Sequence, residues 1–206
     1  MKTEEDFLRD ISEIRSMMER SSKFLSLSGW AGIMAGIYAL AGSFFAYDVL
    51  NFNPQDLYGL TPGTTSTQMN QLIVLGGIVL FLAVATALFL SARRAGKKNE
   101  KVWNATSRRL LVNISLPLIT GGLVMLLFLG NGLWGMLIPF SLIFYGLAIF
   151  NAGNFTFREL KFLGIIQVVL GLTSLLFIRH SLLFWAVGFG LMHIIYGAYI
   201  YTRYQQ

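Results

Sequence analysis

His193 is the residue with the clearest chemical potential in this chain, because its ionisable side chain lies well inside an apolar stretch. An imidazole can act as a base, carry a proton or hold a hydrogen bond. Burying such a group among apolar residues is costly, so its presence is a functional hypothesis by default. Gln167 and His193 lie equally far from residue 180, where a helical hairpin is expected to turn. Antiparallel packing therefore predicts a hydrogen bond between Gln167 and a neutral His193, either as part of a site or only as a link between two helices.

Four more polar side chains extend this candidate site. Asn113 and Thr120 share one face of an earlier apolar stretch, and Ser141 and Tyr145 lie in the stretch that follows it. Prolines in both stretches can loosen helical hydrogen bonding and open a cavity. The pattern is consistent with a polar pathway for a small solute, and equally with interhelical hydrogen bonds that only hold the helices together.

Several chemistries are disfavoured by what the sequence lacks. No Asp or Glu lies in the interior of the apolar stretches, which argues against a carboxylate-driven pump and an intramembrane aspartyl protease. The chain has no cysteine, and its two histidines, His180 and His193, are separated by ~19 Å along a helix. They cannot jointly hold a zinc ion or a haem. We therefore expect no metal, no cofactor and no assigned catalytic residue.

The composition is typical of an integral membrane protein. Of the 206 residues, 55% are hydrophobic and 13% are charged, against roughly 25% charged residues in a soluble domain. The apolar residues form stretches near the ~20 residues that cross a bilayer as a helix. The sequence predicts an all-α bundle of antiparallel hairpins over residues 24–206. Its six predicted spans are residues 24–50, 71–90, 110–129, 133–150, 160–178 and 182–201.

The basic residues predict the orientation of these spans. All Lys and Arg except Arg179 lie in the N-terminal segment, the second and fourth connections or the C-terminus. The positive-inside rule places these segments, and hence both termini, in the cytoplasm of a bacterial inner membrane. The second connection can also bind anionic lipid headgroups, and no nucleic acid is expected. The basic residues of the second connection are Arg93, Arg94, Lys97, Lys98, Lys101, Arg108 and Arg109.

Two segments near the N-terminus predict packing or docking surfaces. Residues 1–23 have the period of an amphipathic helix, with Phe7, Ile11, Ile14 and Met18 on one face. This helix is expected to lie on the membrane, dock on a partner or cover the bundle. In the first span, small residues at four-residue spacing, including Gly32 and Gly36, allow another helix to approach closely. Self-association or a protein partner on this face is one expectation.

Two parts of the sequence resemble known membrane proteins. A serine in the fourth span and a histidine in the sixth, here Ser141 and His193, superficially resemble a rhomboid protease. The resemblance fails because Ser141 lies in PFSL and not in the family's Gly-x-Ser-x arrangement, and because His193 is displaced toward the cytoplasmic side. Residues 14–22 (IRSMMERSS) and 26–29 (SLSG) resemble the opening of small bacterial multi-pass inner-membrane proteins of uncharacterised activity. That resemblance implies a location and no activity.

Three functions are compatible with these features. The first is a non-catalytic scaffold or regulatory component, favoured by the small-residue ridges and the docking-type N-terminal helix. The second is a channel or carrier for a neutral or weakly polar solute, favoured by the polar residues within the spans. The third is an enzyme that acts on lipid, with His193 as its base and the basic connection as the headgroup site.

Overall fold

The computed structural model describes residues 28–52, 54, 66–97, 103 and 105–205. Over these residues the protein is helical, with six helices long and apolar enough to cross a membrane, as predicted. The predicted helix over residues 1–23 lies outside the described residues. We number the helices α1 (Gly29–Val49), α2 (Ser66–Lys97), α3 (Ala105–Gly130), α4 (Trp134–Ala152), α5 (Glu159–Leu176) and α6 (Ile178–Tyr204).

Two helices extend well past their predicted spans. α2 continues at both ends beyond the predicted 71–90, and α3 begins at Ala105 instead of residue 110. The added turns carry polar and basic residues, among them Gln68, Arg93 and Arg108. Hydropathy marks only the part of a helix that matches the hydrocarbon layer, whereas the backbone keeps its hydrogen bonds into the headgroup region.

The helices fall into two groups by how closely they pack. α4 packs most extensively on α5, α1 packs along α6, and α6 contacts both α4 and α5. We call α1, α4, α5 and α6 the packed group. α2 lies against α1 and α3 lies against α4, and we call these two the outer helices. The outer helices therefore flank the packed group on two different sides, α2 beside α1 and α3 beside α4.

Glycines set the short distances within the packed group. A Cβ atom added to Gly36 would lie 2.5 Å from the carbonyl oxygen of Gly190, and one added to Gly197 would lie 2.5 Å from that of Gly29. Between α4 and α5, Gly146 and Gly164 approach each other's backbone in the same way. Small residues thus bring helix backbones into direct contact, which is how membrane helices gain packing energy.

The small-residue face predicted on the first span packs against another helix of the same chain. Gly32 lies against the backbone of Gly197 and the carbonyl oxygen of His193, and Gly36 lies against Gly190. This face is therefore covered by α6, so an external partner would have to displace α6 to reach it. The spacing correctly indicated a close helix approach, but it carries no information on which helix approaches.

One end of the molecule collects the Lys and Arg side chains of the described residues, with the exception of Arg179. Trp30 packs edge-on against Tyr201, and the Arg94 guanidinium donates to the carbonyl oxygen of Tyr204 at 3.2 Å. The Tyr204 hydroxyl donates to Glu159 at 2.9 Å. These contacts bring together the start of α1, the end of α2, the start of α5 and the end of α6. We call this the basic end, and Arg179 and His180 lie at the opposite end.

Candidate functional site: a buried histidine network

The network is built by three helices of the packed group and by an irregular turn in α6. Residues Ala186–Met192 form a π-helical segment, and His193 follows it directly. Such insertions loosen the regular backbone ladder and are frequent at functional sites. α4 supplies Tyr145 and α5 supplies Gln167. His193 is 6% exposed and Gln167 is fully buried, whereas Tyr145 is partly exposed at the edge of the network.

Both ring nitrogens of His193 have partners. Nδ1 lies 2.9 Å from the carbonyl oxygen of Gly188, and Nε2 lies 2.8 Å from the Tyr145 hydroxyl. A carbonyl oxygen only accepts, so Nδ1 carries the proton and donates it to Gly188. In a neutral imidazole Nε2 then accepts from Tyr145. The contacts thus define one tautomer of the ring.

Gln167 joins the network through the same carbonyl oxygen. Its amide nitrogen donates to Gly188 at 2.7 Å, whereas its distance to Nδ1 of His193 is 3.5 Å. That separation is at the outer limit of a hydrogen bond, and Nδ1 already donates to Gly188. The structure therefore brings the predicted pair together mainly by means of a shared backbone acceptor.

Aromatic rings cover the polar atoms. Phe189 stacks on His193 with ring centroids 5.9 Å apart and also packs against Tyr145 at 4.9 Å. Trp185 continues the stack at 5.0 Å from Phe189. Rings at these distances contribute packing energy beyond their buried area. They also leave the network in an apolar environment, where each hydrogen bond is electrostatically stronger than in water.

Two buried polar atoms of α5, one in the network and one two turns beyond it, have no hydrogen-bond partner among the described residues. They are Oε1 of Gln167 and Oγ of Ser174. A Cβ atom added at Gly188 would lie 2.6 Å from Oε1, so only glycine at this position leaves room for the amide. An unsatisfied buried acceptor is a cost to stability, which the close packing of α4, α5 and α6 has to offset.

The other predicted site residues do not join this network. Asn113 and Thr120 lie on an exposed face of α3, and the Asn113 amide donates to the carbonyl oxygen of Arg109 in its own helix. Ser141 likewise donates within α4, to Ile138 at 2.7 Å. The predicted polar set is thus divided between the packed group and the outside of α3, because the sequence does not fix how α3 is rotated about its axis.

Four of the basic residues predicted to contact anionic lipid have side chains that the structure describes, and all four lie at the basic end. Arg93, Arg108 and Arg109 are exposed, and Arg94 is partly buried beside the end of α6. The side chain of Lys97 and the residues Lys98 and Lys101 lie outside the described part of the structure. The arrangement presents separate basic pairs on α2 and α3.

Sequence reasoning missed Gly188, whose backbone oxygen is the centre of the network. A backbone acceptor cannot be recognised from the type of a side chain. The π-helical segment that frees this acceptor from the regular helical hydrogen bonds does not alter the hydropathy pattern either. The nearest indication is the pair Gly188 and Gly190, one turn before His193, since closely spaced glycines mark close backbone approaches and irregular helix geometry.

The network offers proton donors and acceptors but no open position for a substrate atom, and no metal-binding group of three or more His, Cys, Asp or Glu forms among the described residues. Comparison of the chain with family models, curated proteins and solved structures yields no match. Inference about function therefore rests on the geometry of the chain itself.

Proposed function

We propose that this protein is a non-catalytic component of a bacterial inner membrane that holds a partner protein through the outer helix α3. Both termini lie in the cytoplasm in this proposal, as the distribution of Lys and Arg indicates. The observation that carries the proposal is the contrast in burial among the six spans. None of the most apolar window of α2 and only 6% of that of α3 is buried, against 39% for α4.

Polar side chains on the uncovered face of α3 support a protein partner there. Asn113 and Thr120 lie on this face, and the described hydrogen bond of the Asn113 side chain goes to the carbonyl oxygen of Arg109 in α3 itself. In a membrane such residues commonly hydrogen-bond across to another helix. We therefore assign this face to a transmembrane helix of another protein, with Leu116 and Ile119 as apolar contacts beside Thr120.

The two alternative functions receive less support. A carrier needs a cavity that reaches its polar residues, but Asn113 and Thr120 lie outside the packed group while His193 and Gln167 are closed inside it. A lipid-acting enzyme needs an accessible base, and both nitrogens of His193 are occupied. The network is better explained as a polar link that fixes α4, α5 and α6 in one register.

Site-specific photocrosslinking in native membranes tests this proposal. A photoreactive residue at Leu116 is expected to capture one defined membrane protein, and a photoreactive residue in that protein should capture this chain in return. The matched control is Val169, which is similarly exposed but lies on α5. Thr120→Trp should block the crosslink from Leu116 by adding bulk to the same face, whereas Leu172→Trp on α5 should not.

The outcomes separate the alternatives. Equal capture from Leu116 and Val169 would show diffusional contact and contradict the proposal. A crosslink from Leu116 to a second copy of this chain would show that the face of α3 mediates self-association and does not bind a different protein. Loss of the reciprocal crosslink in Leu172→Trp would show that the effect of added bulk is not confined to the face of α3.

A further inference from the structure

A cleft between α1 and α2 has the form of a lipid site. Its volume is about 480 Å³, and it is lined almost entirely by apolar atoms. That volume lies within the range of small-molecule sites in proteins. Trp30 and Met34 form one wall on α1. The opposite wall on α2 is formed by Ala85, Thr86, Phe89 and Leu90.

The cleft is held open by contacts at both ends. Toward the middle of the membrane, the Tyr38 hydroxyl and the Thr86 hydroxyl are 3.2 Å apart and tie α1 to α2. At the basic end, Trp30 packs against Tyr201 of α6, so its indole is fixed as a wall. The two helices therefore touch at Tyr38 and Thr86 and leave space between that point and the basic end.

Two arginines lie at the mouth of this cleft. Residues four apart share a helix face, so Arg93 follows Phe89 and Arg94 follows Leu90 along the two rows of α2 that line the space. The Arg94 guanidinium is held by the carbonyl oxygen of Tyr204, and Arg93 is exposed. Positive charge thus lies directly beyond an apolar cleft, at the level of the headgroups.

We propose that this cleft binds an anionic phospholipid of the bilayer, with an acyl chain between α1 and α2 and the phosphate beside Arg93 and Arg94. Arginine is suited to phosphate because its planar guanidinium offers paired donors. The apolar walls alone would accept any lipid chain, so the arginines supply the selectivity. The site is distinct from the face of α3 that the proposed partner covers and does not depend on that proposal.

The test is quenching of Trp30 fluorescence by lipids with brominated acyl chains. The full chain is placed in nanodiscs in which either phosphatidylglycerol or phosphatidylcholine carries the bromine, and the signal of Trp30 is taken as the difference from Trp30→Phe. Each basic residue near a membrane surface contributes ~1 kcal/mol toward an anionic lipid, which is about fivefold in affinity. We expect brominated phosphatidylglycerol to bind at least about fivefold more tightly beside Trp30.

Matched variants separate a site from general surface charge. Arg93→Gln should reduce the preference for phosphatidylglycerol about fivefold. Arg158→Gln removes the same charge from an exposed side chain at the same end of the molecule, but at the start of α5, and should leave the preference within about twofold. Ala85→Phe fills the cleft and should reduce quenching by both lipids while the arginines remain.

Three results would overturn the proposal. Equal quenching by the two lipids would show that the cleft holds no selective site. Equal effects of Arg93→Gln and Arg158→Gln would show that the preference comes from the overall surface potential. Unchanged quenching in Ala85→Phe, with helical content preserved by circular dichroism, would show that the lipid lies outside the cleft.

Discussion

The outer helices are more apolar than the helices of the packed group, and they are also less buried. α2 has the highest mean hydropathy of the six spans, yet none of its most apolar window is buried, whereas the less apolar α1 has a third of that window buried. Lipid chains are as apolar as the side chains, so hydrophobicity does not drive helices together within a membrane. Close backbone approach does, and glycine supplies it in the packed group.

The glycines themselves make the comparison sharp. In the packed group, a Cβ atom at Gly36 would meet backbone atoms of α6, while at Gly76 and Gly77 of α2 it would meet nothing within 4 Å. The same residue type is therefore decisive in one region and without consequence for packing in the other.

The largest effect is expected from Gly36→Leu. The added side chain would force α1 away from Gly190 and Ile194, whose atoms lie within 3 Å of the new Cβ, and we expect a loss of about 3 kcal/mol in the free energy of unfolding. Gly77→Leu is the matched control and should leave stability unchanged. Reversible unfolding in mixed micelles, followed by circular dichroism, measures both. Equal losses in the two variants would contradict the division into two groups.

The neighbouring pair Gly121 and Gly122 tests the contact of α3 with α4. A Cβ atom at Gly121 would lie 2.5 Å from the side chain of Phe144, whereas Gly122 faces open space. Gly121→Leu should cost about 2 kcal/mol, less than Gly36→Leu because it displaces Phe144 alone, whereas Gly36→Leu displaces both Gly190 and Ile194. Gly122→Leu should have no effect on unfolding. If Gly122→Leu is the more harmful change, α3 is rotated from the orientation described here.

Tyr145→Phe tests whether the histidine network stabilises the packed group. The change removes the hydroxyl at 2.8 Å from His193 and leaves the buried Nε2 without that partner, which should cost about 1 kcal/mol. Tyr47→Phe is the control because Tyr47 is 69% exposed. A double-mutant cycle with His193→Leu should give a coupling of similar size. A coupling near zero would mean that the hydroxyl and the imidazole do not interact.

The smallest effect on unfolding is expected from Thr86→Val, which removes the hydroxyl contact between Tyr38 and α2. Interhelical hydrogen bonds in membranes contribute about 0.6 kcal/mol on average, so global stability should hardly change. The distribution of distances between spin labels on α1 and α2 should nevertheless broaden. Thr173→Val, whose hydroxyl bonds within its own helix at 2.8 Å, should leave these distances unchanged. A broadening of equal size in both variants would argue against a role for this contact.

Part of the candidate site could be predicted because it depends only on position along the chain. Gln167 and His193 are equally far from the last turn, and antiparallel helices place such residues at one depth. By the same criterion, Asn113 and Thr120 are equally good candidates for the polar site, but they face outward. Depth follows from residue number, whereas facing direction depends on the rotation of each helix. In lipid both sides of a helix are apolar, so no periodicity reveals that rotation.

The sequence by itself determined that this chain forms six helices long and apolar enough to span a membrane, because a hydrocarbon layer requires long apolar segments with every backbone group bonded internally. Its small-residue spacing also determined that α1 would be approached closely. Only the tertiary structure decided that α6 is the approaching helix, that α2 and α3 remain outside, and that Gly188 joins Gln167 to His193. Those outcomes depend on contacts between distant segments and on a local π-helical turn, which residue type and spacing do not encode.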